Sequence, residues 1–451
     1  SVALSAWKAY GGKRWALRIN PSSGNLHPTE VHLILPALSD LPGGLYHYAP
    51  LHHALERRAD LPEDLGDRLA AHFGQPTLLV GLTSIFWRES WKYGERAFRY
   101  CNHDVGHALA ALRFAAGLFG WELTALTELS DDAVETVLGL DRTPWHPHEA
   151  EHPDLLLAVH AGPEPVPRSL PPEIVSAFSA LPLTGTPAPL SPSTVDWEII
   201  ETAAQKARAP ETDVPPPAFP DRDLRPDPGT HPSAARIIRQ RRSAVAFTPA
   251  GRISREAFFA ILDKTLPRRG IAPFDIGLGP PRTHLLIFVH GVDGLPPGLY
   301  LLDRTGDATD GLKAATDSGF LWEPMDDDLP LFFLQGGDFR ETAIRVSCHQ
   351  EIAGMSAFSV GMIAAFREAL AEGPHRYRHL FWETGMIGQV LYLEAEAHGL
   401  RGTGIGCFFD SEVHDLLGLR DDTWRSLYHF TVGQPVEDQR LTTLPAYHHL
   451  R

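Results

Sequence analysis

The chain has little cysteine: three residues in 451, Cys101, Cys348 and Cys407, at no paired spacing. Neither a disulfide framework nor a zinc site is therefore expected. Long apolar runs are absent as well. None approaches the roughly 18 residues that a membrane span requires, and no signal-peptide pattern opens the sequence. Positive charge is in deficit, with a formal net charge of −16, which argues against nucleic acid or an anionic membrane as partner. What is left is the profile of a cytoplasmic enzyme, long enough for two or three domains. Val2–Tyr10 reads as a helix that starts at the first residues, so the natural chain is expected to begin earlier.

The length is filled by repetition. Val31–Leu45 reads VHLILPALSDLPGGL and is followed by Tyr46; Leu285–Leu299 reads LLIFVHGVDGLPPGL and is followed by Tyr300, an offset of 285 − 31 = 254. A second block, Phe98–Leu140, aligns without a gap to Tyr377–Leu419 at an offset of 399 − 120 = 279. Two blocks in the same order indicate a tandem duplication. Copy one is expected over residues 1–170, a proline-rich connector over 171–234 with a helix at Thr194–Lys206, and copy two over 235–451. Strands are expected at Val31–Leu35, Leu155–Ala161, Leu285–Val289, Leu331–Gln335 and Leu427–Val432. Helices are expected at Glu256–Lys264, Ala353–Leu370 and Thr384–His398. Irregular interleaving of the two points to an α+β fold.

The copies differ in an informative way. Copy one has a stiff polar loop, Pro21-Ser22-Ser23-Gly24-Asn25, where copy two has Asp275–Gly279. Flanking prolines restrain its backbone, with Asn20 and His27 expected extended or in turns, and the hydroxyls and carboxamide suit a flat polar heterocycle. Copy two has Gly402-Thr403-Gly404-Ile405-Gly406-Cys407, where copy one has Leu123–Glu128 without a glycine. Alternating glycines would let a planar ligand lie against bare backbone. Arg239, Arg241, Arg242 and Ser243 open copy two and Arg440 lies near its end. Arginine forks with a hydroxyl suit a terminal phosphate, although a solvated helix face would read the same way. Each half has lost what the other keeps, which leaves one complete site and one dead one.

Taken together, the PSSGN loop, Arg241-Arg242-Ser243, the Gly402–Asp410 run and the late Arg440 resemble the FMN-dependent nitroreductase superfamily. The tandem arrangement, with Lys92-Tyr93-Gly94-Glu95-Arg96, is similar to its SagB-type, azoline oxidase-like dehydrogenase branch. The resemblance implies an intramolecular pseudodimer of two nitroreductase-like halves. It also implies one FMN per chain and hydride transfer through flavin N5 at a shared site. It assigns the ribityl phosphate to Arg241, Arg242, Ser243 and Arg440. The isoalloxazine falls to Pro21, Ser22, Ser23 and Asn25, and the ring edge near N5 to Gly404, Ile405, Gly406 and Cys407. Val245 stands where a basic residue is often found.

By the same resemblance Lys92 and Tyr93 handle protons, and a lysine shielded beside a flavin would act as a base near neutral pH. An ordinary surface lysine beside a packing tyrosine is the competing reading. Asp104 and His107, three apart on a helix, read as a surface pair, and Cys348-His349-Gln350-Glu351 lacks the second cluster that a metal site needs. The implied donor is NADPH or NADH, and the implied substrate a small molecule or modified peptide. Association beyond the internal pseudodimer stays open. The alternative is a flavin-holding or peptide-binding partner of a modification complex, without turnover of its own.

Overall fold

The computed structural model describes all residues except 1, 213–218, 220, 221, 227, 228, 250 and 451. The prolines at 215–217, 220 and 228, part of the expected connector, lie outside the described residues. Two compact units divide the chain: Ser1–Pro217 with Ala272–Gly279 and Thr442–Arg451, and Ala218–Ile271 with Pro280–Leu441.

The first unit is built on a six-stranded antiparallel sheet. Its order is Ala54–Asp60, Gly44–Ala49, Thr29–Leu35, Thr77–Ser84, His152–His160, Glu122–Ala125. Helices Glu63–Phe73, Asp131–Leu138 and Pro172–Ser179 turn Leu65, Leu69, Phe73, Val134, Val137 and Phe178 onto Ile34, Leu45, Leu79 and Leu156. Ser130 caps the second of these by accepting from the Ala133 amide at 3.2 Å. The expected helix in the connector forms at Glu198–Lys206. The long helix Ala97–Leu118 is buried along much of its length.

The second unit repeats that order. Its seven-stranded sheet runs Glu323–Pro324, Leu331–Gly336, Gly298–Leu302, Thr283–Val289, Phe358–Ala365, Trp424–Gly433, Arg401–Ile405. The last five strands correspond one by one to the last five of the first sheet. Arg376–Ala397 takes the place of the long helix. Leu286, Phe288, Leu301 and Ile363 meet Leu312, Val346, Val413 and Leu417 from three covering helices.

Three expectations fail. Val2–Tyr10 is not a helix: Leu4–Tyr10 is a strand paired with Lys13–Arg18 across Gly11-Gly12 (φ 55° and 80°) and with Thr442–Leu444 on its other side. The two glycines supply the positive φ values that a tight hairpin needs. Ala353–Leu370 is not one helix either. Glu351–Met355 and Phe366–Ala371 are short helices around Phe358–Ala365, a strand paired on both edges and buried throughout. A strand covered on both faces loses the alternation that would announce it. Finally, Cys348 and Cys407 are joined in a disulfide with Cα atoms 5.7 Å apart, although 59 residues separate them. Sequence spacing carries no record of which loops the sheet brings together.

Candidate functional site

In the first unit, Pro21–Asn25 connects strand Lys13–Arg18 to strand Thr29–Leu35. Gly24 and Asn25 take φ values of 59° and 60°. Asn25 is held there by its own carboxamide, which donates to the Ala16 carbonyl at 2.8 Å and meets His27 Nε2 at 2.8 Å. His27, although it precedes a proline, takes a φ of 54° rather than extended backbone; Arg88 grips its carbonyl at 3.0 Å. The loop is stiff, as expected, through side-chain bonds as much as through proline.

Gly24 is glycine for a second reason. A Cβ there would lie 2.6 Å from Tyr93 Oη and 2.8 Å from Lys92 Nζ, so the two residues singled out for proton handling reach the loop itself. Both close helix Trp87–Tyr93, with the Lys92 ammonium 5.1 Å from the centre of the Tyr93 ring. Lys92 is exposed.

Behind the loop lies a feature that the sequence did not reveal. Ser22 Oγ accepts from the His27 amide at 2.8 Å and donates to Glu89 Oε1 at 3.2 Å. Glu89 is fully buried, and Asp104, expected on the surface, is 3 % exposed; its companion His107 is 1 % exposed. Burial raises the proton affinity of both carboxyls, and the charge of Asp104 adds to the effect on Glu89.

In the second unit, Arg241–Ala244 packs along the edge strand Arg401–Ile405. The Ala244 amide donates to the Gly402 carbonyl at 3.1 Å, and Thr403 Oγ1 donates to the Ala244 carbonyl at 2.7 Å. Tyr392, from helix Arg376–Ala397, joins the two. Its hydroxyl accepts from the Gly404 amide at 2.9 Å and lies 2.9 Å from Ser243 Oγ, while Arg241 stacks 5.0 Å over its ring. Nothing in the sequence marked Tyr392. Arg241 is buried, and desolvation holds its guanidinium below the ordinary value; Tyr392 and Glu396 oppose that shift. Arg242 is lowered to about 10, by desolvation and then by Arg241.

On one face the glycine run makes room for its own sheet. A Cβ on Gly402 would meet the Phe430 ring at 2.5 Å, and one on Gly404 would strike the Tyr428 hydroxyl. On that face the space belongs to the neighbouring strand rather than to a ligand. Ile405 is buried in the unit's core, Gly406 is half-buried and Cys407 is bonded to Cys348. Arg440 is exposed and engaged with Asp438 at 2.8 and 2.9 Å. Val245 is 81 % exposed.

The counterpart elements of the first unit are tied down. Asp275 accepts a bidentate fork from Arg113 at 3.0 and 2.7 Å. Arg168 donates to Thr127 Oγ1 and to the Gly277 carbonyl, so Asp275–Gly279 and Leu123–Leu129 are tied to the first unit's own arginines. Arg113 and Tyr392 are one repeat apart, 392 − 113 = 279: the same helix position gathers Ser243 and Gly404 in one unit and clamps Asp275 in the other.

Residues 344–434 match the model of the Nitroreductase family, a segment that includes Tyr392 and Gly402–Cys407. A protein of Methanocaldococcus jannaschii named as a nitroreductase is 27 % identical over 131 residues, 28 % of this chain and 65 % of that protein. The trifolitoxin-processing protein TfxB of Rhizobium leguminosarum bv. trifolii is 27 % identical over 130 residues, 27 % of this chain and 35 % of its own length. The chain thus spans less than two thirds of either relative. A crystal structure of a nitroreductase-named protein from Anabaena variabilis covers 96 % of the chain and is itself 86 % covered, with a TM-score of 0.70 and 22 % identity. The chain shares that fold. Among the described residues no helix is long and apolar enough to cross a membrane, and no His, Cys, Asp and Glu cluster suits a metal ion.

Proposed function

We propose that the chain is an FMN-dependent oxidoreductase in which the two clusters, one from each repeat of a pseudodimer, hold a single flavin. The observation that carries the reading is the gathering of Arg241, Ser243 and Gly404 around Tyr392, inside the segment that matches the family model. The donor set fits a phosphate monoester. Three guanidiniums, Arg241, Arg242 and Arg401, crowd the place against Glu396 and Glu437, with the Ser243 hydroxyl beside them. Arg440 would have to exchange Asp438 for that phosphate. Pro21, Ser22, Ser23 and Asn25 would face the ring system, with the outer backbone edge of Gly404, Ile405, Gly406 and Cys407 opposite.

FMN, when bound, supplies a hydride acceptor. The chain supplies placement and a route for the accompanying proton, through Lys92 and Tyr93 at Gly24. Dehydrogenation of a heterocycle within a modified peptide is the reading we favour, and a relative named as a trifolitoxin-processing protein is in keeping with it. Exposed Lys92 is the observation on the side of a flavin-holding partner without turnover. Bleaching of the yellow protein by an azoline-containing peptide separates the two readings, and bleaching by NADPH or NADH would point to a nicotinamide-driven reductase.

Two outcomes are expected. Arg241→Ala should weaken FMN retention by about one to two decades, since a charge-assisted hydrogen bond contributes about 1.5–3 kcal/mol. Arg440→Ala should act in the same direction. Unchanged flavin content in both variants after exhaustive dialysis would remove the phosphate from this cluster. Flavin released from the purified protein should amount to one per chain, because Arg113 and Arg168 hold the counterpart elements closed. A ratio near two would overturn the single-site reading.

A further inference from the structure

We infer that Glu89 and Asp104 form a carboxyl pair that holds one proton between them at neutral pH and serves the proposed site through Ser22. The inference rests on the flavin reading above. Its physical basis is the absence of the partners that a buried carboxylate ordinarily requires. Glu89 Oε2 and Asp104 Oδ2 are buried without a hydrogen-bond partner, and neither residue makes an ion pair among the described residues. An isolated charge in such a place is costly, and a carboxyl relieves the cost by keeping its proton.

The repeat supplies an internal comparison. Asp104 corresponds to Glu383, since 383 − 104 = 279. Glu383 accepts from the Arg282 amide at 2.9 Å, from Thr283 Oγ1 at 2.9 Å and from Arg304 at 2.5 Å. At that place one unit keeps a fully partnered carboxylate. The other keeps an acid with no cation bonded to it and a second acid nearby.

Against burial, Ser22 and then Arg18, from strand Lys13–Arg18, favour the charged form of Asp104, and Ser22 and then Lys92, on the helix of Glu89, favour that of Glu89. Burial pushes the Tyr100 hydroxyl up, Arg96 opposes the shift, and Tyr93, whose ring centre is 4.9 Å away, and Glu89 add to it. Cys101, buried on the helix of Asp104, is pushed up by desolvation and then by Glu89, Asp104 and Asp154. Asp154, on strand His152–His160, accepts from Ser84 at 2.7 Å.

A shared proton leaves one carboxylate oxygen able to take another. When a heterocycle loses two hydrogens, one C–H bond breaks with both electrons, which leave as hydride to the flavin. The other leaves its electron pair behind as the new double bond and yields a proton. That proton reaches the pair by way of Lys92, Tyr93 and Ser22, and returns to solvent between turnovers. Glu89 and Asp104 act through Ser22 and are positioning residues.

The test has a readout that needs no flavin. Infrared difference spectra at pH 7.5, wild type minus the Glu89→Gln, Asp104→Asn double variant, should show one protonated carboxyl band that shifts in heavy water. Ser22→Ala should keep the band and move its frequency, which tests the connection should the double variant fold poorly. In flavin-loaded protein, Asp104→Asn should displace the pH profile of single-turnover oxidation by about one unit or more at unchanged flavin content. A missing band, or a pH profile that does not move, overturns the pair. Flavin content in the same samples reports separately on the cofactor reading.

Discussion

Lys92→Ala is expected to retain FMN and to oxidise a C–H substrate about 10²–10⁴-fold more slowly, the range that a general acid–base group contributes. Tyr93→Phe should fall in the same range with the ring contact intact. Retention follows from the geometry, because neither residue belongs to the Arg241, Ser243 and Tyr392 cluster, and each touches the ring-facing loop through its polar end at Gly24. The pair reaches that loop because Gly24 has no side chain. Gly24→Ala should therefore reproduce part of the loss by displacing both tips. Stopped-flow reduction with saturating substrate is the measurement. Unchanged rates in both Lys92→Ala and Tyr93→Phe would reduce the pair to packing, and would favour the binding role over the enzyme.

Glu383→Ala should destabilise the protein by about 3–5 kcal/mol, with no ligand involved. Arg304 has no exposed surface and donates to the Thr265 and Thr283 carbonyls at 2.8 and 2.7 Å as well as to Glu383. Without the carboxylate, the buried cation loses the charged acceptor bonded to it. In a unit of this size the loss corresponds to about 6–20 °C in Tm. A second change, Arg304→Met, should recover most of it, because removing both charges also removes the desolvation cost. Differential scanning calorimetry of the two variants decides the matter. A single-variant loss below about 1 kcal/mol would show that water or another side chain compensates Arg304.

The repeat was legible because duplicated strands and turns keep their apolar pattern: Val31–Leu45 and Leu285–Leu299 proved to be equivalent strand–turn–strand units. The Pro21–Asn25 loop was legible from proline and glycine, whose backbone limits are local. Long-range pairing was not. Leu4–Tyr10 is a strand because Lys13–Arg18 and Thr442–Leu444 flank it, and a seven-residue segment carries no mark of partners that distant. Phe358–Ala365, buried on both faces, had the continuous apolar character of a helix core. Glu89 and Asp104 read as ordinary helix polar residues, since burial is a property of the packed unit and not of a residue's spacing. The surroundings of Gly402 and Gly404 were hidden for a related reason. A missing Cβ is visible in sequence, but the ring that fills its place is not.

The strand formed by Thr442–Leu444 imposes an order on biosynthesis. It completes the small sheet begun by Leu4–Tyr10, so during synthesis that strand waits for a partner encoded far downstream. At about 5–20 residues per second the interval is about 20–90 s. Throughout it, one edge of Leu4–Tyr10 stands open with unpaired backbone groups, the kind of edge that recruits a foreign strand. Slowed elongation before Thr442–Leu444, or loss of that strand, would prolong that exposure. Aggregation during synthesis should therefore depend on Thr442–Leu444 more than on any residue of the site.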